Sequence, residues 1–166
     1  MNTIFSSLTL TTGKALTVVL MAIIVSLIPI NCNSALAQTT TELNAFRSNS
    51  LSKHNSYRAT HRSPSMTTRS SANSTAQAWA QYLATNGLFQ HSASTQRNNA
   101  GENLYVSYTT APSINYATLA NTAVQSWYNE VSAYNYNSPG FSSATGHFTQ
   151  VAVSYTHLTL PTNREV

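Results

Sequence analysis

The sequence predicts an α+β domain built in layers. Of three stretches of helical length, the second and third carry apolar residues three and four positions apart and the first spaces them loosely at three to six, while one short stretch between the second and third alternates apolar with polar side chains. Charge is scarce: 7% of the 166 residues are Asp, Glu, Lys or Arg, and Asp is absent. In such a chain the few carboxylates are expected to have assigned partners rather than to form generic surface.

Residues 1–37 read as an address. Lys14 leads into the apolar run 15–30, broken only by Thr17 and Ser26, and Ala35-Leu36-Ala37 supplies a small-x-small cleavage site. Cleavage after Ala37 leaves Gln38 as the new N-terminus. The run is short for a bilayer crossing, which takes about 20 residues, and Asn31 sits where a lipoprotein site at Cys32 wants a small residue. The expectation is secretion to the extracellular side, with no membrane span after cleavage. Cys32 is the only cysteine and leaves with the leader, so the mature domain has no disulfide framework.

Residues 38–152 make one domain with one core. The first helix is expected over 42–60, where Leu43, Phe46, Leu51 and Tyr57 give a loose apolar face. Residues 61–71, rich in Ser, Thr and Arg around Pro64, read as a loop. The second helix, 73–86, places Ala76, Trp79, Ala80 and Leu83 on one side, and Asn86-Gly87 supplies the stop. Strand 103–108 alternates Leu104, Val106 and Tyr108 on one face. The third helix, 115–131, has a continuous stripe from Tyr116 through Trp127 to Val131. Residues 132–145, with Tyr134, Tyr136, Pro139 and Phe141, form an aromatic loop. Trp79, Trp127 and Tyr128 lie on helical stripes and are read as core. Asn73-Ser74-Thr75 is an acceptor sequon for N-glycosylation. The positive charges of the domain (Arg47, Lys53, Arg58, Arg62, Arg69, Arg97) are scattered, which excludes a nucleic-acid footprint.

Four segments stand out in order: Phe89-Gln90-His91-Ser92, Gly101-Glu102-Asn103-Leu104, Trp127-Tyr128-Asn129-Glu130 and Gly146-His147-Phe148-Thr149-Gln150-Val151. A fifth, His54-Asn55-Ser56-Tyr57-Arg58, ends the first helix. Together they resemble the CAP superfamily of cysteine-rich secretory, antigen 5 and pathogenesis-related 1 proteins, from about residue 43 to residue 152. The resemblance implies a three-layer α-β-α sandwich. It also implies that His91, His147, Glu102 and Glu130 line a central cavity able to take Zn or another divalent cation, which is not required for the fold. Two imidazoles and two carboxylates suit such an ion, although their spacing alone does not say that they meet. His54, Asn55, Arg58, Asn103 and Gln150 are read as structural hydrogen-bonding positions of the family motif, and Thr149 likewise.

The family motif continues through Val151 and Ala152 to a tryptophan, where this chain has Val153. From there residues 153–166 resemble the translation of a transposase adaptor used in sequencing libraries. They are expected to be a non-native tail, leaving the sandwich without its C-terminal strands, and His157 within them is given no role as a ligand. The resemblance implies a secreted, non-enzymatic binding module. Its expected ligands are small lipids (sterol or fatty acid) or an extracellular or cell-surface protein partner. The alternative is a metal-dependent hydrolase using the same four residues, with a glutamate as general base. No serine elbow or mature cysteine offers nucleophilic chemistry.

Overall fold

The computed structural model describes residues 39–108 and 113–152, and adds the backbone of strands within residues 2–26. The cleavage site at Ala37, Cys32, the 153–166 tail and His157 lie outside the described residues. In chain order the elements are β1 (Asn2–Leu10), β2 (Val18–Val19), β3 (Ala22–Ser26), α1 (Thr40–Thr60), α2 (Ser70–Asn86), β4 (Gly101–Tyr108), α3 (Tyr116–Tyr128) and α4 (Gly146–Ala152).

The strands within residues 1–37 are a difference from the reading of that segment as an address only. β1 runs antiparallel to β4 along the whole of β4, from Asn2 opposite Tyr108 to Thr9 opposite Gly101, and β2 and β3 pair with β1. The physical reason is an open edge. A lone strand presents a row of unpaired N–H and C=O groups, and an extended neighbouring segment satisfies them.

α1 begins two residues earlier than expected because Thr39 and Glu42 close a capping box. Thr39 Oγ1 accepts from the Glu42 backbone N–H at 3.2 Å, and the Glu42 carboxylate accepts from the Thr39 N–H at 2.8 Å. α2 also starts earlier, at Ser70, and ends where predicted: Gly87 takes the left-handed conformation at φ 64° and closes the helix. α3 stops at Tyr128 and continues as a 3-10 turn over Asn129–Ala133.

The helices flank β4 on both sides, as its alternation requires. Leu104 packs with Leu83 of α2, and Trp79, Leu88 and Val106 join that cluster. The neighbouring Tyr105 packs instead against the core of Phe46, Ala120, Ala123, Val124, Trp127 and Val151, drawn from α1, α3 and α4. Trp127 also donates from Nε1 to the Leu104 carbonyl at 3.0 Å, fixing α3 to the strand. Tyr128, read as core, is half-buried, stacked on Tyr57 with ring centroids 3.6 Å apart. Trp79 is half-buried too, and stacks on Tyr82 at 5.0 Å. No helix among the described residues is long and apolar enough to cross a membrane.

The first motif behaves as structural cement. Asn55 spans the backbone of Met66, donating to its carbonyl at 3.1 Å and accepting from its N–H at 2.7 Å. Buried Arg58 donates from Nε to the Pro64 carbonyl at 2.7 Å and from Nη1 to the Val151 carbonyl at 3.2 Å, so one side chain holds both the following loop and α4. His54, 1% exposed, donates from Nδ1 to the Ser50 carbonyl at 2.8 Å. Burial pushes its pKa down to about 4, helped by the nearby Arg58 charge and opposed by the Ser50 hydrogen bond.

Candidate functional site: two histidine–glutamate dyads

The four site residues come together as two pairs. His91 lies between α2 and β4, and Glu102 is the second residue of β4. His91 Nδ1 and Glu102 Oε1 are 2.7 Å apart. Glu130 lies in the 3-10 turn after α3, and His147 is the second residue of α4, with Nδ1 2.6 Å from Glu130 Oε1. A carboxylate only accepts, so each Nδ1 carries the hydrogen. In its neutral form each ring then keeps its lone pair on Nε2.

The glutamates are engaged on both oxygens. Glu102, whose side chain has no exposed surface, also accepts from the Ser92 N–H at 2.9 Å and from the Ser92 hydroxyl at 2.9 Å. Burial alone would raise its pKa. The hydrogen bonds from His91 and from Ser92, with the His91 charge, outweigh burial and hold the carboxyl below its ordinary range. Glu130 Oε2 accepts from the backbone N–H groups of His147 and Phe148 at 2.9 and 3.1 Å. Glu130 thus caps α4, a seven-residue helix with too little apolar periodicity to announce itself in the sequence.

His91, Glu102 and His147 line one cleft of about 280 Å³, together with Arg97, Asn103, Phe141, Gly146 and Gln150. Cross-links from α4 to β4 shape it: Asn103 donates from Nδ2 to the His147 carbonyl at 3.2 Å, and Gln150 reaches the Glu102 carbonyl at 3.5 Å. Thr149, fully buried, turns back to the Gly146 carbonyl at 2.9 Å. The Phe141 ring covers the start of α4, and a Cβ on Gly146 would meet its Cε2 at 3.0 Å. Gly146 is what allows that wall to close.

The donor set fits the divalent cation that the motifs imply, with a different division of labour among the four residues. The two Nε2 atoms would be the ligand positions, with the glutamates orienting the rings, the arrangement in which a histidine ligand is held by a carboxylate behind it. Among the described residues, no cluster of three or more His, Cys, Asp or Glu side chains is arranged to hold an ion. A second observation concerns Asn103. Its Nδ2 is committed to a carbonyl, and its Oδ1, buried on a residue of the cleft wall, has no donor among the described residues. A cation-bound water would supply one.

Sequence reasoning missed two participants. Ser92 stands beside His91 in a quoted segment without a role assigned to it. Arg97, one of the scattered positive charges of the sequence, lines the cleft. Phe141, an aromatic of the loop that the sequence reading links to ligand binding, stands on the cleft wall. Asn73, the sequon asparagine, sits in the first turn of α2, half-buried, with its Oδ1 buried and without a donor among the described residues.

Helices flanking β4, with paired histidine–glutamate dyads opening on one cleft, define the class, and comparison with known proteins names it. Residues 51–159 match the description "CAP: Cysteine-rich secretory protein family", and the chain belongs to that family. It is 34% identical over 104 residues to Golgi-associated plant pathogenesis-related protein 1 of Homo sapiens, an alignment covering 63% of this chain and 63% of that protein. It is 36% identical over 107 residues to Protein PRY2 of Saccharomyces cerevisiae, covering 64% of this chain and 28% of that protein. The chain therefore spans less than two thirds of either relative.

Proposed function

We propose that this chain is a secreted, non-enzymatic CAP binding module whose cleft holds a divalent cation between His91 and His147. The observation that carries this reading is the pair of Nδ1–carboxylate bonds at 2.7 and 2.6 Å, which leave both Nε2 lone pairs uncommitted on residues lining one cleft. Zinc, with nitrogen bonds near about 2.0–2.1 Å, is the ion this donor set suits. The fold behind it is the three-layer α-β-α sandwich, supported by Leu104 and Tyr105 packing against helices on opposite faces of β4.

Small lipids, a sterol or a fatty acid, remain the ligand class proposed, with an extracellular protein surface as the other partner. Tyr136 and Phe141, 60% and 73% exposed, supply apolar surface on the loop that walls the cleft. Secretion rests on the leader and its cleavage site. Nothing in the geometry favours the hydrolase alternative, because both glutamates spend their oxygens on histidine, backbone and serine donors rather than facing a water as a free base.

Calorimetry tests the cation directly. Wild-type protein is expected to take up Zn²⁺ at one site, and the double variant His91→Ala, His147→Ala to lose it. Indistinguishable titrations would overturn the reading. Titration of labelled cholesterol and palmitate tests the lipid part, and no saturable uptake of either would remove it.

A further inference from the structure

We infer that Arg97 makes the cleft an oxyanion site, so that the ligand taken beside the cation carries a carboxylate or phosphate group. The inference rests on the cation reading above and adds the chemical class of what binds next to it.

Arg97 is held in position by its own neighbours. Nε donates to the Ala100 carbonyl at 2.6 Å, and Nη1 donates to the Ser92 carbonyl and to the Ser92 hydroxyl, the latter at 3.1 Å. Those contacts engage Nε and Nη1 and leave Nη2, the nitrogen between them, without a partner among the described residues. No carboxylate there pairs with it, because Glu102 and Glu130 are bound into their dyads. Ser92 also bonds Glu102, so the same residue fixes both the arginine and the His91 dyad.

An arginine that is preorganised, half-buried and unpaired on a cleft wall is suited to an incoming anion. Its fork is already ordered, so little side-chain entropy is lost on binding, and a charge-assisted hydrogen bond forms in a site partly screened from water. The charge balance points the same way. A dication between His91 and His147 would share the cleft with the Arg97 charge, while the two glutamate charges are matched by their own donors. An anionic group lying between cation and guanidinium offsets that repulsion; a neutral hydroxyl does not. The ordinary role for such an arginine, tying the turn at residues 94–97 to its flanks, accounts for Nε and Nη1 but not for Nη2.

Three six-carbon probes test this by calorimetry on zinc-loaded protein: hexanoate, hexyl phosphate and the neutral hexanol. At least one anion is expected to bind about tenfold or more tighter than hexanol, and the tighter of the two identifies the source as carboxylate or phosphate. Arg97→Gln should abolish that preference and leave hexanol unchanged, whereas Arg97→Lys, which keeps the charge, should retain part of it. Thermal melts of both variants monitor the turn, and loss of preference in Arg97→Gln with an unchanged melt is the supporting result. If Arg97→Gln melts early, retention of the preference by a stably folded Arg97→Lys supports the site and its loss overturns it. Equal binding of all three probes to wild type, or an unaltered preference in Arg97→Gln, also overturns it. The arms separate this from the cation reading. Anion preference that survives zinc removal keeps Arg97 and sinks the shared role of the metal, while zinc binding without anion preference does the reverse.

Discussion

Replacing Glu130 by glutamine isolates what the carboxylate does for its histidine. In the native chain Glu130 receives three hydrogens: His147 Nδ1–H at 2.6 Å, His147 N–H at 2.9 Å and Phe148 N–H at 3.1 Å. A glutamine of the same shape has one accepting oxygen. If that oxygen keeps the two backbone donors, the amide NH₂ faces Nδ1 and favours the tautomer with its hydrogen on Nε2. The lone pair then points away from the cleft, and the cation loses a ligand. Losing a partner behind a metal-bound histidine typically costs about 10–100-fold in affinity. The stability cost should be smaller than for Glu130→Ala, which strips all three donors of their acceptor at about 1–3 kcal/mol for a poorly solvated group; the Glu130 side chain is 23% exposed, which keeps the expectation at the low end. Zinc calorimetry with parallel urea unfolding reads both quantities. Unchanged zinc affinity in Glu130→Gln, with the fold intact, would refute the claim that this carboxylate sets the tautomer.

Other consequences follow from the same contacts. His54 titrates at about 4 when folded and near 6.5 when unfolded, so the unfolded chain takes the proton first. Its contribution is full above about pH 6.5 and is lost as pH falls toward 4, up to about 3 kcal/mol; urea midpoints at pH 7, 5.5 and 4.5 should fall in that order, and a flat series would contradict it. Asn55→Ala removes both partners of the buried Met66 backbone and should cost about 1–3 kcal/mol while leaving zinc affinity unchanged; a loss of zinc without a loss of stability would contradict its structural role. Phe46→Ala empties a fully buried site in the α1–α3–α4 core and should cost about 3–5 kcal/mol by chemical denaturation; a cost under 1 kcal/mol would mean that this core is not the one described. If Asn73 carries a glycan, N-glycosidase should lower the mass of secreted material from a competent cell. No mass change would leave the sequon unused, as its half-buried position in α2 permits.

What the sequence disclosed was mainly what periodicity and turn chemistry encode. The stripe from Tyr116 to Trp127 is α3, the Asn86-Gly87 stop is the left-handed cap of α2, and the alternation at Leu104 and Val106 is the face of β4 turned to α2. Scarcity of carboxylates was informative too: Glu42, Glu102 and Glu130 each have a defined partner. The pairing itself was not legible. His91 and Glu102 are 11 residues apart and His147 and Glu130 are 17 apart, separations set by loops and crossings rather than by any helical or strand period. α4 was hidden for a related reason, because its start is organised by a carboxylate from another element. Arg97 read as ordinary surface charge because its three acceptors lie on backbone and serine atoms whose positions no pattern announces.

In the proposed site His91 and His147 offer their Nε2 atoms to one ion, with Glu102 and Glu130 behind them. X-ray absorption at the zinc edge of the loaded protein tests it most directly. Two imidazole nitrogens at about 2.0–2.1 Å are expected, with the remaining positions filled by oxygen, and the imidazole signal should be lost in the His91→Ala, His147→Ala variant. A spectrum without imidazole scattering, or one unchanged in the double variant, would contradict it.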